Sequence, residues 1–262
     1  MAPTQPFDAN ASTFNDYLNA PWGRLLHNIS QANLQRHLDE HRGRPLRILD
    51  AGGGSGTDAI SFAAQGHAVA ILDPSARLLD EARHNAQVVG LAEHIEFYEA
   101  ELAAIPKLFP EVIFDVVLCH NVLQYVEDMG AALEAICHPL LPGGLVSAIC
   151  INRYSEAYRA ALQQLEPGAA YEKLDTKTTF SSVFKLPVRA YAAEDAIQAL
   201  QEAGCALLAH YGVRCVYDYI PNSDIKDEPA FFAELERLEY AMSDKYPYYL
   251  LARFFQIVAR KG

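Results

Sequence analysis

The sequence lacks the features that mark exported and membrane-spanning proteins. No apolar run approaches the roughly 18 residues that a membrane-spanning helix needs. The first twelve residues, MAPTQPFDANAS, contain neither the basic residues nor the apolar stretch of a signal peptide. These absences predict a cytoplasmic protein with no membrane partner.

Cysteine is scarce and is not arranged as a disulfide framework or a zinc site. The 262 residues contain five cysteines, an odd number, and no two of them form a CxxC pair. The five are Cys119, Cys137, Cys150, Cys205 and Cys215, and their surroundings are mostly apolar. We therefore expect reduced, buried thiols and no metal site.

Basic charge is also in short supply. The chain has 21 Lys and Arg against 33 Asp and Glu, a formal net charge of −12. A dedicated nucleic-acid-binding protein is more often basic, so the charge weighs mildly against a nucleic-acid substrate. A local basic patch remains compatible with an acidic protein.

The pattern of apolar residues predicts an α/β fold. Short, almost continuous apolar runs alternate with amphipathic segments, which is typical of a parallel sheet covered on both faces. The predicted strands are 46–50, 68–73, 94–98, 114–119, 145–151, 206–217 and 248–259, and the main predicted helices are 57–65, 75–89, 127–138, 192–203 and 231–242. A long helix-containing stretch precedes the last strand, which allows it to enter antiparallel.

Two segments depart from this alternation. Residues 1–44 are polar and partly helical, and we interpret them as an N-terminal helical lid on a domain formed by 45–262. Residues 152–190 interrupt the rhythm of strands and helices with Arg153, several tyrosines and three lysines. This second segment is predicted to be a cap or substrate insertion at the carboxyl edge of the sheet.

The stretch RILDAGGGSGTDA, residues 47–59, places four glycines in five positions between a predicted strand and a predicted helix. Glycine loses more conformational entropy on folding than other residues, so the cluster indicates a place where a Cβ would obstruct a ligand. In open α/β sheets, ligands bind beyond the carboxyl ends of the strands, beside free N–H groups of a helix N-terminus. Asp73 closes the next strand, where its carboxylate can accept hydrogen bonds from both hydroxyls of an adenosine ribose.

The glycine-rich stretch matches some known ligand-binding loop motifs and not others. A Walker phosphate loop is excluded because no Gly-Lys pair lies nearby. The dinucleotide fingerprint G-x-G-x-x-G is met only in its permissive form, from Gly54 to Ala59, so a nicotinamide-dependent oxidoreductase is an alternative, as is a turn without a ligand. The pattern D-x-G-x-G-x-G is met in full from Asp50 to Gly56.

That last pattern resembles motif I of the class I S-adenosylmethionine (SAM) methyltransferases. LLPGG (140–144) and FDVVLCHNVLQYVED (114–128) resemble other segments of these enzymes. The resemblance implies a Rossmann-like, seven-stranded methyltransferase sheet with the last strand antiparallel, and an enzyme that uses SAM and releases S-adenosylhomocysteine (SAH). A methyltransferase-like binding module without catalysis is an alternative.

The same resemblance assigns the cofactor site. It implies loop contacts from Asp50, Gly52, Gly53 and Gly54, a ribose contact from Asp73, and adenine contacts from Glu101 and Leu102. It also implies that His120, at the end of the fourth strand, lines the cofactor site.

Nearly end to end, the chain is most similar to the bacterial tRNA 5-carboxymethoxyuridine methyltransferases, which esterify a wobble-uridine carboxylate. GVRCVYDY (212–219) and the aromatic stretch YYLLARFFQIVARK (248–261) carry the more specific part of this resemblance. The family has a Gly-x-Leu-Arg segment whose Arg reaches the cofactor carboxylate, but this chain has Leu26 in the place of that Arg. Arg24 is the candidate replacement. The insertion also lacks the lysine cluster expected for gripping an anticodon stem.

Two acceptors are therefore considered: tRNA, or the carboxylate or hydroxyl of a small molecule. A carboxylate is already ionised at pH 7 and needs cations to orient it, which makes Arg153 and Arg214 candidate catalytic residues. Arg189 is a weaker candidate, and Arg214 could instead form a structural pair with Asp218. A hydroxyl acceptor would need a general base, for which His120 and His210 are the candidates.

Overall fold

The structure is a computed structural model that describes residues 5–38, 43–221 and 224–262. Residues 1–4 and 39–42 of the predicted N-terminal segment lie outside this description. None of the helices in the described ranges is long and apolar enough to cross a membrane.

A seven-stranded sheet forms the centre of the described part of the chain. Its strands lie in the order β3-β2-β1-β4-β5-β9-β8, and β9 runs antiparallel to both of its neighbours. The strands are β1 (Arg47–Ala51), β2 (Ala68–Asp73), β3 (Ile95–Glu99), β4 (Phe114–His120), β5 (Leu140–Ile151), β8 (Cys205–Val213) and β9 (Phe254–Lys261). The predicted α/β fold with an antiparallel last strand is confirmed.

Helices cover both faces of the sheet. Apolar side chains of β1, β4 and β5 are buried in two clusters, one on each face, which explains why these strands read as continuous apolar runs. The helices are α1 (Gln5–Ala9), α2 (Ala11–Asn19), α3 (Pro21–Leu38), α4 (Thr57–Ala64), α5 (Ala76–Val88), α6 (Ile105–Leu108), α7 (Met129–Cys137), α8 (Tyr154–Tyr158), α9 (Pro167–Glu172), α10 (Ala193–Glu202) and α11 (Pro229–Met242). All five cysteines are buried, as expected.

The predicted insertion is a separate structural feature, which we call the cap (residues 152–190). It contains α8, a π-helical turn at Arg159–Gln163, α9 and an antiparallel hairpin of β6 (Thr178–Ser181) and β7 (Leu186–Arg189). The cap begins where β5 ends, and the β6–β7 loop helps to line the large cavity described below.

Three predicted strand boundaries are wrong. The strand predicted at 206–217 ends at Val213, because Arg214 adopts a left-handed backbone conformation (φ 62°) and the chain leaves the sheet. The last strand begins at Phe254 rather than at 248, since Tyr248–Leu251 forms a 3-10 turn. β5 begins early, at Leu140, because that residue already pairs with β4 before the pairing shifts register.

Candidate active site

Backbone conformation explains why glycine recurs in the loop between β1 and α4. Gly52, Gly54 and Gly56 have φ angles of 84°, 53° and 81°, in the left-handed region that favours glycine. A Cβ at Gly52 would also lie 2.3 Å from a methyl carbon of Val122. Every second residue of the loop is therefore glycine for a conformational reason.

Gly53 is glycine for a steric reason. Its Cβ would lie 2.7 Å from the Asp50 carboxylate, which is buried directly beneath the loop. Burial raises the pKa of Asp50 well above its ordinary value, and the neighbouring carboxylates of Asp58 and Asp73 add to that effect.

Asp73 anchors the loop from the end of β2. Its Oδ2 accepts a hydrogen bond from the Gly54 amide at 3.0 Å, and its Oδ1 accepts one from the Ser75 amide at 2.9 Å. Burial raises the pKa of Asp73 to about 6, so the carboxylate is largely ionised at pH 7. Each oxygen retains a lone pair that can accept a further hydrogen bond.

A cavity of about 570 Å³ opens at the carboxyl edge of the sheet, above this loop. Its size lies within the range of about 300–1,000 Å³ that is usual for small-molecule sites. The predicted cofactor residues that line it are Asp50, Gly52, Gly53, Gly54, Asp73, Glu101, Leu102 and His120. The structure therefore brings together, in one cavity, residues predicted from four separate parts of the sequence.

Two buried oxygens of the cavity residues suit the predicted cofactor. Within the described residues, Asp50 Oδ2 and Asn121 Oδ1 are buried acceptors without a hydrogen-bond partner. SAM carries an ammonium group whose N–H donors would satisfy such acceptors, and leaving buried acceptors unsatisfied is costly. The glycine loop provides the close backbone approach, and Asp73 is available for ribose hydroxyls. The residues present thus fit this cofactor.

Asp58, in the first turn of α4, joins two imidazoles beside the loop. His27 Nδ1 lies 2.6 Å from its Oδ1, and His120 Nδ1 lies 2.7 Å from its Oδ2. Burial raises the pKa of Asp58, but His120 and His27 lower it by more, so the carboxylate is ionised.

His120 is held by hydrogen bonds at both ring nitrogens. Its Nε2 lies 2.8 Å from Ser147 Oγ, which also accepts a hydrogen bond from Gln256 Nε2 at 3.0 Å. Both ring nitrogens of His120 are thus engaged by protein partners, Nδ1 by Asp58 and Nε2 by Ser147, which leaves neither nitrogen available to a substrate in this arrangement.

Three arginines line the cavity beyond β5: Arg159, Arg214 and Arg253. Arg214 donates to both oxygens of Asp218, at 2.7 and 2.5 Å, and to the Tyr17 hydroxyl at 2.8 Å. The sequence left two alternatives for Arg214, an ion pair with Asp218 and a position at the substrate site. In the structure Arg214 both pairs with Asp218 and lines the cavity.

The other two arginines were not predicted. Arg253 donates to the buried Glu156 carboxylate and to Ser155 Oγ. Arg159 Nη1 lies 3.9 Å from that same carboxylate, and its buried Nε has no partner in the described part of the chain. Among the described residues, these three guanidinium groups contact two carboxylates, Asp218 and Glu156.

Other predicted residues do not line the cavity. Arg153 stacks on the Tyr154 ring, 5.1 Å from its centroid, and Arg24 donates to the Asn19 carbonyl at 2.5 Å. Arg189 is exposed at the end of β7, and His210 is on β8, packed against Tyr249, with its pKa lowered by burial to about 4. Neither Arg153 nor Arg24 is among the residues that line the cavity, so their sequence-based roles stay predictions.

Aromatic side chains close the cavity from the N-terminal side. Phe7 of α1 lies 4.9 Å from the Phe184 ring centroid and 5.3 Å from that of Tyr125, and Phe14 of α2 lies 5.4 Å from that of Phe184. The first two helices are thereby packed against the β6–β7 loop of the cap.

Sequence reasoning missed four cavity residues that carry chemistry: His27, Asp58, Arg159 and Arg253. Asp58 had a signal, because it follows the glycine loop directly in the first turn of the helix. The other three come from α3, the cap and the start of β9, and nothing in their local sequence shows that they converge.

The fold and the site define a class I SAM-dependent methyltransferase, and comparisons with known proteins agree. The model of the methyltransferase domain family matches residues 49–148. A solved SAM-dependent methyltransferase of Thermotoga maritima has a TM-score of 0.61 at 18% identity, covering 99% of this chain and 100% of that one, which shows the fold.

Relatives in sequence narrow the class to a family. The tRNA 5-carboxymethoxyuridine methyltransferase of Escherichia coli (strain K12) is 30% identical over 245 residues, covering 91% of this chain and 89% of that protein. A ubiquinone biosynthesis O-methyltransferase of Methylocella silvestris is 34% identical over 128 residues, 47% of this chain and 48% of that protein. The chain belongs to the family of the bacterial tRNA 5-carboxymethoxyuridine methyltransferases, and it is a SAM-dependent enzyme.

Proposed function

We propose that this enzyme methylates a carboxylate, namely that of 5-carboxymethoxyuridine at the wobble position of tRNA, to give the methyl ester. The observation that carries the proposal is the group of three arginines at the cavity wall, which contact only two carboxylates among the described residues. An ionised acceptor would supply a further negative charge in a buried place, where guanidinium–carboxylate pairs are strong.

The chemistry asks little more of the protein than positioning. SAM supplies a methyl group on a sulfonium, and a carboxylate acceptor is already a nucleophile at pH 7. The arginines would hold the carboxylate in line with that methyl group, since orientation alone accounts for much of such a rate enhancement. The engagement of both His120 ring nitrogens by Asp58 and Ser147 is compatible with this reaction, because no proton has to be removed from a carboxylate acceptor.

The cap supports a tRNA acceptor. It has six basic and four acidic residues, a net charge of +2 in a protein of net charge −12. Four of its aromatic side chains are exposed: Tyr154, Tyr158, Tyr171 and Phe180. Exposed rings can stack on unpaired bases of an anticodon loop, and the basic residues can contact its phosphates. With such an acceptor we place the enzyme in the cytoplasm.

The N-terminal segment is proposed to act as a lid. Helices α1 and α2 close the cavity through Phe7 and Phe14. A closed cavity of this size admits the cofactor and one small group, so a tRNA would have to turn its wobble nucleotide out of the loop to reach it.

A second candidate is the oxygen of a small metabolite, as the ubiquinone-pathway relative suggests. The aromatic rings of Phe7, Phe14 and Phe184 at the cavity are compatible with it, because they could stack on a free aromatic molecule as well as on a flipped base. That relative matches only about half of this chain. The match therefore supports the use of the same cofactor more than it supports a similar acceptor.

The deciding experiment compares acceptors directly. Purified enzyme and labelled SAM are incubated with tRNA that contains 5-carboxymethoxyuridine, with the free nucleoside, and with the same tRNA lacking the carboxylate. Methyl ester formation on the first tRNA alone, detected by mass spectrometry of nucleosides, is the expected result. A strain that lacks the gene but keeps its normal level of the methyl ester would refute the tRNA proposal.

A further inference from the structure

The glycine-loop end of the cavity is strongly acidic. Asp50, Asp58 and Asp73 all line it, and the Asp50 carboxylate has an unpartnered buried oxygen. These groups suit the ammonium of SAM, but the same cofactor also carries a carboxylate. That carboxylate needs a cation close to the loop, because like charges at short distance repel strongly in a buried site.

Most basic side chains of the cavity are unavailable for this task. Arg214 is paired with Asp218 and Arg253 with Glu156, and Arg159 lies 3.9 Å from the Glu156 carboxylate. His120 is committed to Asp58 and Ser147 at both ring nitrogens. Arg24 is directed to the Asn19 carbonyl, and the neighbouring Leu26 carries no charge.

His27 of α3 has the required properties. Its Nδ1 lies 2.6 Å from the ionised Asp58, and no hydrogen bond to its Nε2 is found among the described residues. The ring lines the cavity and keeps 23% of its side-chain surface exposed. Burial lowers the pKa of His27, but the Asp58 carboxylate raises it by more, so the pKa lies above its ordinary value.

We propose that His27 is the cation that binds the carboxylate of the cofactor, donating from Nε2 while Asp58 holds its Nδ1. Asp58 is then a positioning residue, since it orients the ring without contacting the ligand. In this arrangement Asp58 links the cofactor carboxylate to the His120 network through one buried ion pair. The inference rests on the SAM-dependent class and is independent of the acceptor.

The test compares two ligands that differ only in the carboxylate, SAM and decarboxylated SAM, by isothermal titration calorimetry. His27→Gln, which keeps a hydrogen-bond donor for Asp58 but loses the charge, should weaken SAM binding about ten- to hundredfold, the range of a lost charge-assisted hydrogen bond. Its affinity for decarboxylated SAM should stay within about twofold of wild type. His27→Lys should recover part of the SAM affinity.

Two further variants serve as comparisons. His84→Gln makes the same chemical change at an exposed position of α5 and should leave both affinities unchanged. Arg24→Gln tests the residue that the sequence suggested.

Three results would overturn the proposal: unchanged SAM binding in His27→Gln, equal loss of both ligands in that variant, or selective loss of SAM binding in Arg24→Gln. If His27→Gln does not fold, His27→Lys decides, because it keeps the charge and must still prefer SAM over the decarboxylated ligand. Wild-type enzyme that binds neither ligand would instead count against the SAM-dependent class.

Discussion

At the scale of single residues, the site depends on carboxylates whose charge is set by burial. Asp73 has a pKa of about 6 and Asp50 a pKa well above its ordinary value, whereas Asp58 stays ionised because it is bonded to two imidazoles. Three aspartates within one small site therefore have different protonation behaviour, and each behaviour follows from the partners that the fold supplies.

Asp73 makes cofactor binding depend on pH. Above pH about 6 its carboxylate is ionised and, in the predicted ribose contact, would accept strong hydrogen bonds from the hydroxyls, whereas below that pH it is protonated. SAH affinity should therefore fall between pH 7 and pH 5, as Asp73 becomes protonated. Calorimetric titration of SAH across this range measures the effect.

Asp73→Asn is the matching variant, because it is neutral at every pH. We expect it to lower SAH affinity at pH 7.5 by about tenfold, the usual cost of losing a hydrogen bond to a charged group. Its affinity should then change little between pH 5 and 7. A variant that keeps the wild-type pH profile would show that another group is responsible.

Arg159 is the cavity arginine with the weakest partner, so its loss should affect the acceptor most selectively. Arg159→Gln should raise KM for the carboxylate acceptor by about ten- to hundredfold, with SAH affinity unchanged. Steady-state kinetics together with SAH titration separates the two effects. Arg237→Gln, at an exposed site on α11, is the matched control. If Arg153→Gln raises KM and Arg159→Gln does not, the sequence-based choice of arginine was right.

At the scale of elements, the proposed lid depends on the packing of α1 and α2 against the cap. Phe184 is the shared contact, because the rings of Phe7, Phe14 and Tyr125 all lie within 6 Å of its centroid. Aromatic pairs of this kind contribute about 0.5–1.5 kcal/mol each beyond the burial of area. The closure therefore depends on a few contacts and can open without global unfolding.

Phe184→Ala should loosen this closure. We expect amide hydrogen exchange in residues 5–19 to become about tenfold faster, because the two contacts to α1 and α2 are lost together. Mass spectrometry of the exchanged protein locates the change. Phe180→Ala, on the same hairpin but exposed, should leave the exchange of this segment unaltered. Unchanged exchange in Phe184→Ala would mean that other contacts hold the helices.

At the scale of the whole molecule, charge is distributed unevenly between the cap and the rest of the protein. The cap has a net charge of +2 although the chain as a whole has −12. Phosphate contacts made by a few basic residues give measurable, salt-dependent affinity. A tRNA acceptor would therefore be held mainly at the cap.

Reversing cap charges tests this. Lys177→Glu combined with Lys185→Glu should reduce kcat/KM for tRNA by about tenfold or more and weaken its salt dependence, without changing SAH affinity. Lys107→Glu, exposed on α6, is the control. Equal activity of the double variant and wild type at low salt would favour a small-molecule acceptor.

The sequence by itself determined the sheet, the glycine loop and the cofactor class. Alternating apolar runs and a contiguous motif each involve residues that are close together in the chain. Such patterns can therefore be recognised from the sequence alone. Predicted strand boundaries were wrong where tertiary contacts accompany a change in the backbone. At Arg214 the backbone is left-handed and β8 ends, and the Arg214 side chain pairs with Asp218.

Only the tertiary structure decided which charged residues share the cavity. Arg159, Arg214 and Arg253 come from the cap, the end of β8 and the start of β9, and His27 meets Asp58 across two helices. Arg153 follows β5 directly and looks well placed in the sequence, yet its side chain stacks on Tyr154 away from the cavity. Whether a side chain lines the cavity depends on how elements that are distant in the sequence pack together. That packing cannot be recognised from the periodicity of the sequence.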